Sequence, residues 1–262
     1  MTQTGNDAAN LQLLHAAKAG DLPRVREALE DGARINKTDH EGNTALLIAA
    51  KRGDTQMFAF LVERGAAIDF INEEGNDALM LAIAARQEKV AAMCLSLPFN
   101  LAAANQSGKT AFLLAAEKNM PHVMTALEKK GADPLARDGT GATALMLAAE
   151  NEGLPKAFVR LLRRSKVDLE AKDNNGRTVL MRQLNQGAVR KVEALLKAGA
   201  DVSQIDHRQQ SVQDIARQWG LQDLVKDAFG RYDVKRLTEG SGQPVVLLKK
   251  IQLHHLKKYK PK

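Results

Sequence analysis

Six histidines and one cysteine are the side chains best suited to proton transfer, metal binding or nucleophilic attack. The histidines stand at His15, His40, His122, His207, His254 and His255, too dispersed for any to share a segment with the partners a catalytic group needs. Cys94 sits between Met93 and Leu95, the setting of a small buried hydrophobe rather than a reactive thiol. A lone cysteine allows neither an intrachain disulfide nor a cysteine-based structural zinc site, and it fits a reducing, cytoplasmic location. His254 and His255 could approach a metal, but Lys249, Lys250, Lys257 and Lys258 nearby would repel the cation. The glycine-centred strings described below lack the Gly-Lys-Ser/Thr ending that cradles phosphate. The expectation is therefore a chain without catalysis, cofactor or metal, whose remaining chemistry is recognition by surface.

That surface must be carried by regular elements, and the sequence shows which. Gly42, Gly75, Gly108 and Gly141 are 33 residues apart, and Gly176 follows after 35. Each sits in one recurring string: DHEGNTALLIAA (39–50), NEEGNDALMLAI (72–83), NQSGKTAFLLAA (105–116), DGTGATALMLAA (138–149) and DNNGRTVLMRQL (173–184). Gly32-Ala33, Gly65-Ala66, Gly131-Ala132 and Gly199-Ala200 keep step with it, given a two-residue insertion near Asn151–Pro155. Within one unit, Thr44 can cap a helix filled by Ala45, Leu46, Ile48, Ala49 and Ala50. Gly53-Asp54 breaks that helix. Met57, Phe58, Phe60, Leu61 and Val62 then supply a bulkier face before Gly65, a natural left-handed stop. Two short helices per unit follow, and with aromatics at only 4% an all-β fold is excluded.

These strings resemble the ankyrin repeat family, whose units open on Asp-x-x-Gly-x-Thr-Pro-Leu-His-x-Ala-Ala and close on Gly-Ala-Asp. The resemblance covers about 11–229 and implies an all-α solenoid of helix–turn–helix units with β-hairpin tips. Full repeats are expected at roughly 38–70, 71–103, 104–136, 137–171 and 172–204, with an N-terminal cap over 11–37 and a C-terminal cap ending near Phe229. Residues 1–10 are expected to be disordered and 230–262 to form a basic, apolar tail. The family's histidine is replaced by Leu47, Met80, Leu113, Met146 and Met181, which exchanges polar ties for apolar packing.

The resemblance also implies a concave binding face made of the tips and the exposed ends of the first helices, and with it a non-catalytic adaptor that binds another protein. The residues mapped onto that face are Lys51, Arg52, Glu73, Glu74, Lys109, Lys118, Arg137, Asn174, Asn175, Arg177, His207 and Arg208. Phe70 and Ile71 put apolar bulk on a tip, for contact with a partner or for packing between tips. Trp219 matches Arg52 in register and reads either as a contact residue or as cover for the open end of the cap.

Charge separates the body from the tail. Residues 230–262 hold nine basic and two acidic side chains, which accounts for the whole formal charge of +7 and leaves 29 of each sign in residues 1–229. Lys249, Lys250, Lys257, Lys258, Lys260 and Lys262 lie among Val245, Val246, Leu247, Leu248, Ile251, Leu253 and Leu256, too apolar a setting for a purely electrostatic tail. The tail could be solvated, could order on an acidic protein or an anionic membrane, or could serve as a transport signal. A C-terminal signal would suit the bacterial effectors the family includes. A nucleic-acid binder and a regulatory subunit of a partner enzyme stand as alternatives, nucleic acid being the less favoured partner, and the chain alone is expected to be a monomer. The uncharged run Val90–Gly108 is broken by Ser96, Pro98, Asn100, Asn105 and Gln106 and reads as core rather than membrane span.

Overall fold

The computed structural model describes residues 3–164 and 167–226. The tail calls, including the six tail lysines and the His254–His255 pair, lie outside the described residues. Helices come in pairs: α1 (Gln3–Ala19) with α2 (Leu22–Glu30), α3 (Ala45–Arg52) with α4 (Thr55–Glu63), and α5 (Ala78–Ala84) with α6 (Glu88–Cys94). There follow α7 (Ala111–Glu117) with α8 (Pro121–Lys129), α9 (Ala144–Ala149) with α10 (Lys156–Leu162), α11 (Val179–Asn185) with α12 (Val189–Lys197), and α13 (Val212–Gln218). First helices pack on one another in the order α1, α3, α5, α7, α9, α11, α13, while α4, α6, α8 and α10 form a second row. We number the units from the tip that opens each: unit 1 holds α3 and α4, and unit 6 holds α13.

Why each first helix begins where it does is visible in its cap. Thr44, Thr110, Thr143, Thr178 and Ser211 accept the N–H three residues on through their hydroxyls, and Asp77 does so with its carboxylate. Behind each cap, small residues such as Ala45, Ala49 and Ala50 are fully buried, so neighbouring helices approach closely. Leu47, Met80, Leu113, Met146 and Met181, at the family's histidine position, are all buried in one continuous core. Helices α2, α4, α8 and α12 stop at left-handed glycines, Gly32, Gly65, Gly131 and Gly199, whereas α6 and α10 end without one.

The tips are narrower than the expected hairpins. Among the described residues they are single antiparallel bridges, Thr38 with Thr44, Ala104 with Thr110, Arg137 with Thr143 and Ile205 with Ser211, not strands. At the N-terminal end α1 runs from Gln3, inside the 1–10 stretch expected to be disordered. Ala9 and Asn10 are buried, and Asn10 Oδ1 accepts the Arg34 N–H at 2.8 Å, tying this helix to the turn after α2.

Candidate recognition face

Each tip is organised by one side chain. Oδ1 of Asp39, Asn72, Asn105, Asp138, Asp173 and Asp206 accepts two backbone N–H groups, two and four residues on, which closes the turn from within. Successive tips are then sewn together through the backbone. The N–H groups of Glu73, Gln106, Gly139, Asn174 and His207 donate to the carbonyls of Glu41, Glu74, Ser107, Thr140 and Asn175. Gly42 shows why glycine recurs: its φ is 78°, and a Cβ there would come within 2.9 Å of the Glu73 nitrogen that makes such a bond. Only in unit 6 does another residue, Gln209 at φ 61°, take that place. The result is a rigid row of tips whose side chains at the two following positions face outward.

Electrostatics along this row changes sign. Glu41, Glu73 and Glu74 occupy the first two tips; Glu41 and Glu74 each accept one amide hydrogen, from Asn43 and Asn76, and none of the three pairs with a lysine or arginine among the described residues. Arg137, Lys172 and Arg208 occupy the last three and make no ion pair there. Arg137 donates to the carbonyls of Lys172 and Gly141, and Lys172 to that of Ile205. Unit 3 lies between them, and there Glu117 is held by two cations, Lys109 at 2.5 Å and Lys118 at 3.2 Å. Burial pushes the Glu117 carboxyl up, but these two ammonium groups outweigh it and the net shift is downward.

Several sequence-mapped residues are therefore committed within the fold. Lys109 and Lys118 belong to the Glu117 cluster, Arg177 pairs with Asp173 at 3.0 Å, and the Asn174 amide donates to the Gly139 carbonyl. Arg52 donates to the carbonyls of Lys18 and Ala19, capping the C-terminus of α1. Lys51, Glu73, Asn175, His207 and Arg208 remain exposed, with no side-chain hydrogen bond or ion pair among the described residues. Lys51 and Glu41 border a cavity of about 190 Å³ at the first-helix face, shared with Lys18, Asp39, Asn43, Ile48 and Arg52. Asp39 there is lowered below the usual carboxylate range: Lys18 at 2.8 Å and the N–H groups of Asn43 and Glu41 overcome its burial.

The apolar positions separate in the same way. Phe70 is half-buried, whereas Ile71 is 58% exposed. Ile205, in the same register four units on and not singled out from sequence, is exposed too. The Trp219 ring leans back over Gly187 of the preceding unit, as Arg52 lies over Gly20. Cys94 is fully buried, and burial, aided by the Asp77 charge, pushes its thiol up to about 12, so no thiolate nucleophile forms there near neutral pH. No group of three or more His, Cys, Asp or Glu among the described residues could hold a metal ion. None of the described helices is long and apolar enough to cross a membrane.

Stacked helix–turn–helix units with an outward row of tips and first-helix ends define an α-solenoid that presents an extended recognition surface. A family model described as ankyrin repeats (3 copies) matches residues 13–101 and again 112–206, and the chain belongs to the ankyrin repeat family. Ankyrin repeats are in general non-catalytic protein–protein interaction modules. No match was found among curated proteins.

Proposed function

We propose that this protein is an adaptor that binds a partner protein along its tips and first-helix ends, with no reaction of its own. The observation that carries the reading is the charge on that one face that pairs with no lysine, arginine or carboxylate among the described residues: three carboxylates at units 1 and 2, and three cations at units 4 to 6. A partner that presents basic groups to the first end and acidic groups to the second would be oriented as well as held. Because the tips are fixed by backbone bonds, little ordering entropy is lost when it docks.

Affinity capture from cell lysate tests this with the full chain, a variant carrying Lys51→Glu, Glu73→Lys and Arg208→Glu, and a control carrying Lys89→Glu, Lys129→Glu and Lys197→Glu on the second helices. All six positions are exposed, so circular dichroism should show the same fold in each. The expected outcome is a partner retained by the control and lost by the face variant. A partner lost only by the control would refute the assignment.

A further inference from the structure

First helices α3 to α11 have another first helix on each side, whereas α1 and α13 end the row. The two ends are finished differently. The exposed side chains of α13 are Gln213, Arg217 and Gln218, the polar outer surface that keeps a terminal unit in water. On α1, Ala8, Leu11, Gln12, His15 and Ala19 line one open cavity of about 560 Å³ together with Asp21 and Arg24, and Leu11 is 59% exposed. The five α1 residues recur at helical spacing, so one face of that helix forms the floor of the cavity. Among the described residues that face is left bare.

The charges at this end say what can cover it. Arg24 pairs with Asp21 at 3.4 Å, Lys18 with Asp39 at 2.8 Å, and Arg26 lies over the Phe60 ring. Asp7 and His15 are exposed, with no ion pair among the described residues. Glu27 and Glu30 are unpaired too, but they stand on α2 and do not line the cavity. Asp7 comes four residues before Leu11 and His15 four after, so the three lie along one side of α1. A face with an acid on one side of an apolar centre and an imidazole on the other is complementary to itself. If a second α1 is laid across it antiparallel, about a twofold axis at Leu11, Asp7 of each copy meets His15 of the other and both exposed leucines leave water. Length favours this pairing as well: the 17 residues of α1 span about 25 Å, while α2 to α13 have nine or fewer each.

We propose that the protein self-associates through its N-terminal end, two copies pairing α1 antiparallel about a twofold axis at Leu11, with each Leu11 entering the cavity of the other copy. This goes beyond partner recognition and uses the end of the stack rather than the tips. A dimer of this kind carries two recognition faces, so a partner with two matching sites gains avidity without any new contact.

Sedimentation of the full chain over a concentration series tests this, and the expected result is a reversible rise to twice the mass of one chain. Leu11→Glu should weaken association about tenfold or more without changing the circular dichroism spectrum. Asp7→Lys and His15→Asp should each weaken it, and the two together should restore it, because each lysine then meets an aspartate across the axis. Leu11→Cys should give a covalent dimer with a short bismaleimide, whereas the unsubstituted chain, its Cys94 fully buried, should give none. Four results would overturn the proposal. They are a monomer at every concentration; a dimer that Leu11→Glu leaves intact; a double charge variant that fails to recover; and a dimer that Leu11→Glu dissolves but Leu11→Cys does not crosslink, which would seat another segment in the cavity, the basic tail among them. No tip residue is changed in these variants, so failure here leaves the recognition-face reading standing.

Discussion

At tips 2 and 3 the anchoring residue is asparagine, and its spare amide reaches back to the previous unit: Asn72 to Asn43 at 3.2 Å and Asn105 to Asn76 at 2.9 Å. At tips 4, 5 and 6 it is aspartate, and the residue an amide would have met is Lys109, Ala142 or Arg177. Asparagine therefore appears where an asparagine precedes it by 29 residues. Where none does, the spare oxygen takes other partners, as Asp173 does with Arg177 and Arg182. The first helices diverge in parallel. Their buried column reads Ala49, Ala82, Ala115 and Ala148 until Gln183, which is fully buried with neither amide atom partnered among the described residues. One repeated string is thus joined by two chemistries, amide rungs over small residues in the N-terminal half, and ion pairs around buried polar groups in the C-terminal half. In a stack of neighbours the second arrangement should open first.

The largest expected effect comes from adding one methyl group to the tip ladder. Gly108→Ala combines φ 73° with a Cβ closer to the Gly139 nitrogen than a carbon can sit, so it should cost about 2–3 kcal/mol in denaturant unfolding. Gln209→Gly, the reverse change at unit 6, should gain about 1 kcal/mol by relieving a left-handed side chain. Equal effects at the two tips would break the comparison.

Next in size is Gln183→Leu, which removes two unpartnered polar atoms at nearly constant volume and should stabilise the C-terminal half by about 1–2 kcal/mol in thermal melts. Asn72→Asp, which removes the rung to Asn43, should cost about 1 kcal/mol, while Asp138→Asn should gain nothing because no asparagine faces it. A gain from Asp138→Asn would show that the amide acts without its partner.

The smallest effect is pH-dependent. Burial raises the Asp77 carboxyl above its ordinary 3.8, although the N–H groups of Met80 and Leu79 pull the other way. The folded state thus holds the proton more tightly than the unfolded chain, and stability falls as pH rises from about 3.8 through the folded value. Asp77→Thr, the cap used at Thr44, Thr110, Thr143 and Thr178, should stabilise by a few tenths to about 1 kcal/mol at neutral pH, and the gain should vanish below pH 3.8. A gain that persisted in acid would remove burial of charge as its cause.

Most of the fold was legible because its determinants are local. The cap at Thr44 serves a helix one residue away, and the tip string closes on itself within five residues. The recognition face was legible only as a register. Which of its charges are free depends on side chains elsewhere: Glu117 eight residues from Lys109, or the α1 carbonyls 33 and 34 residues from Arg52. Lys191 is harder still. Its buried Nζ donates to the Ala149 carbonyl at 2.5 Å across the insertion after α9, and burial lowers its pKa against the pull of Glu150 and Glu152. Periodicity marks that position only as one more charge on a helix. The tip asparagines, by contrast, carried a readable signal, since Asn43 and Asn76 each announce the next one.

Position-resolved photo-crosslinking tests the recognition face most directly, using a benzoylphenylalanine placed singly at Lys51, Glu73, Asn175 or Arg208, or at Lys89, Lys129 or Lys197 on the second helices. Irradiated in lysate, the first set should yield one common adduct and the second set none. The same adduct arising from Lys89, Lys129 or Lys197, with the tips silent, would contradict the account.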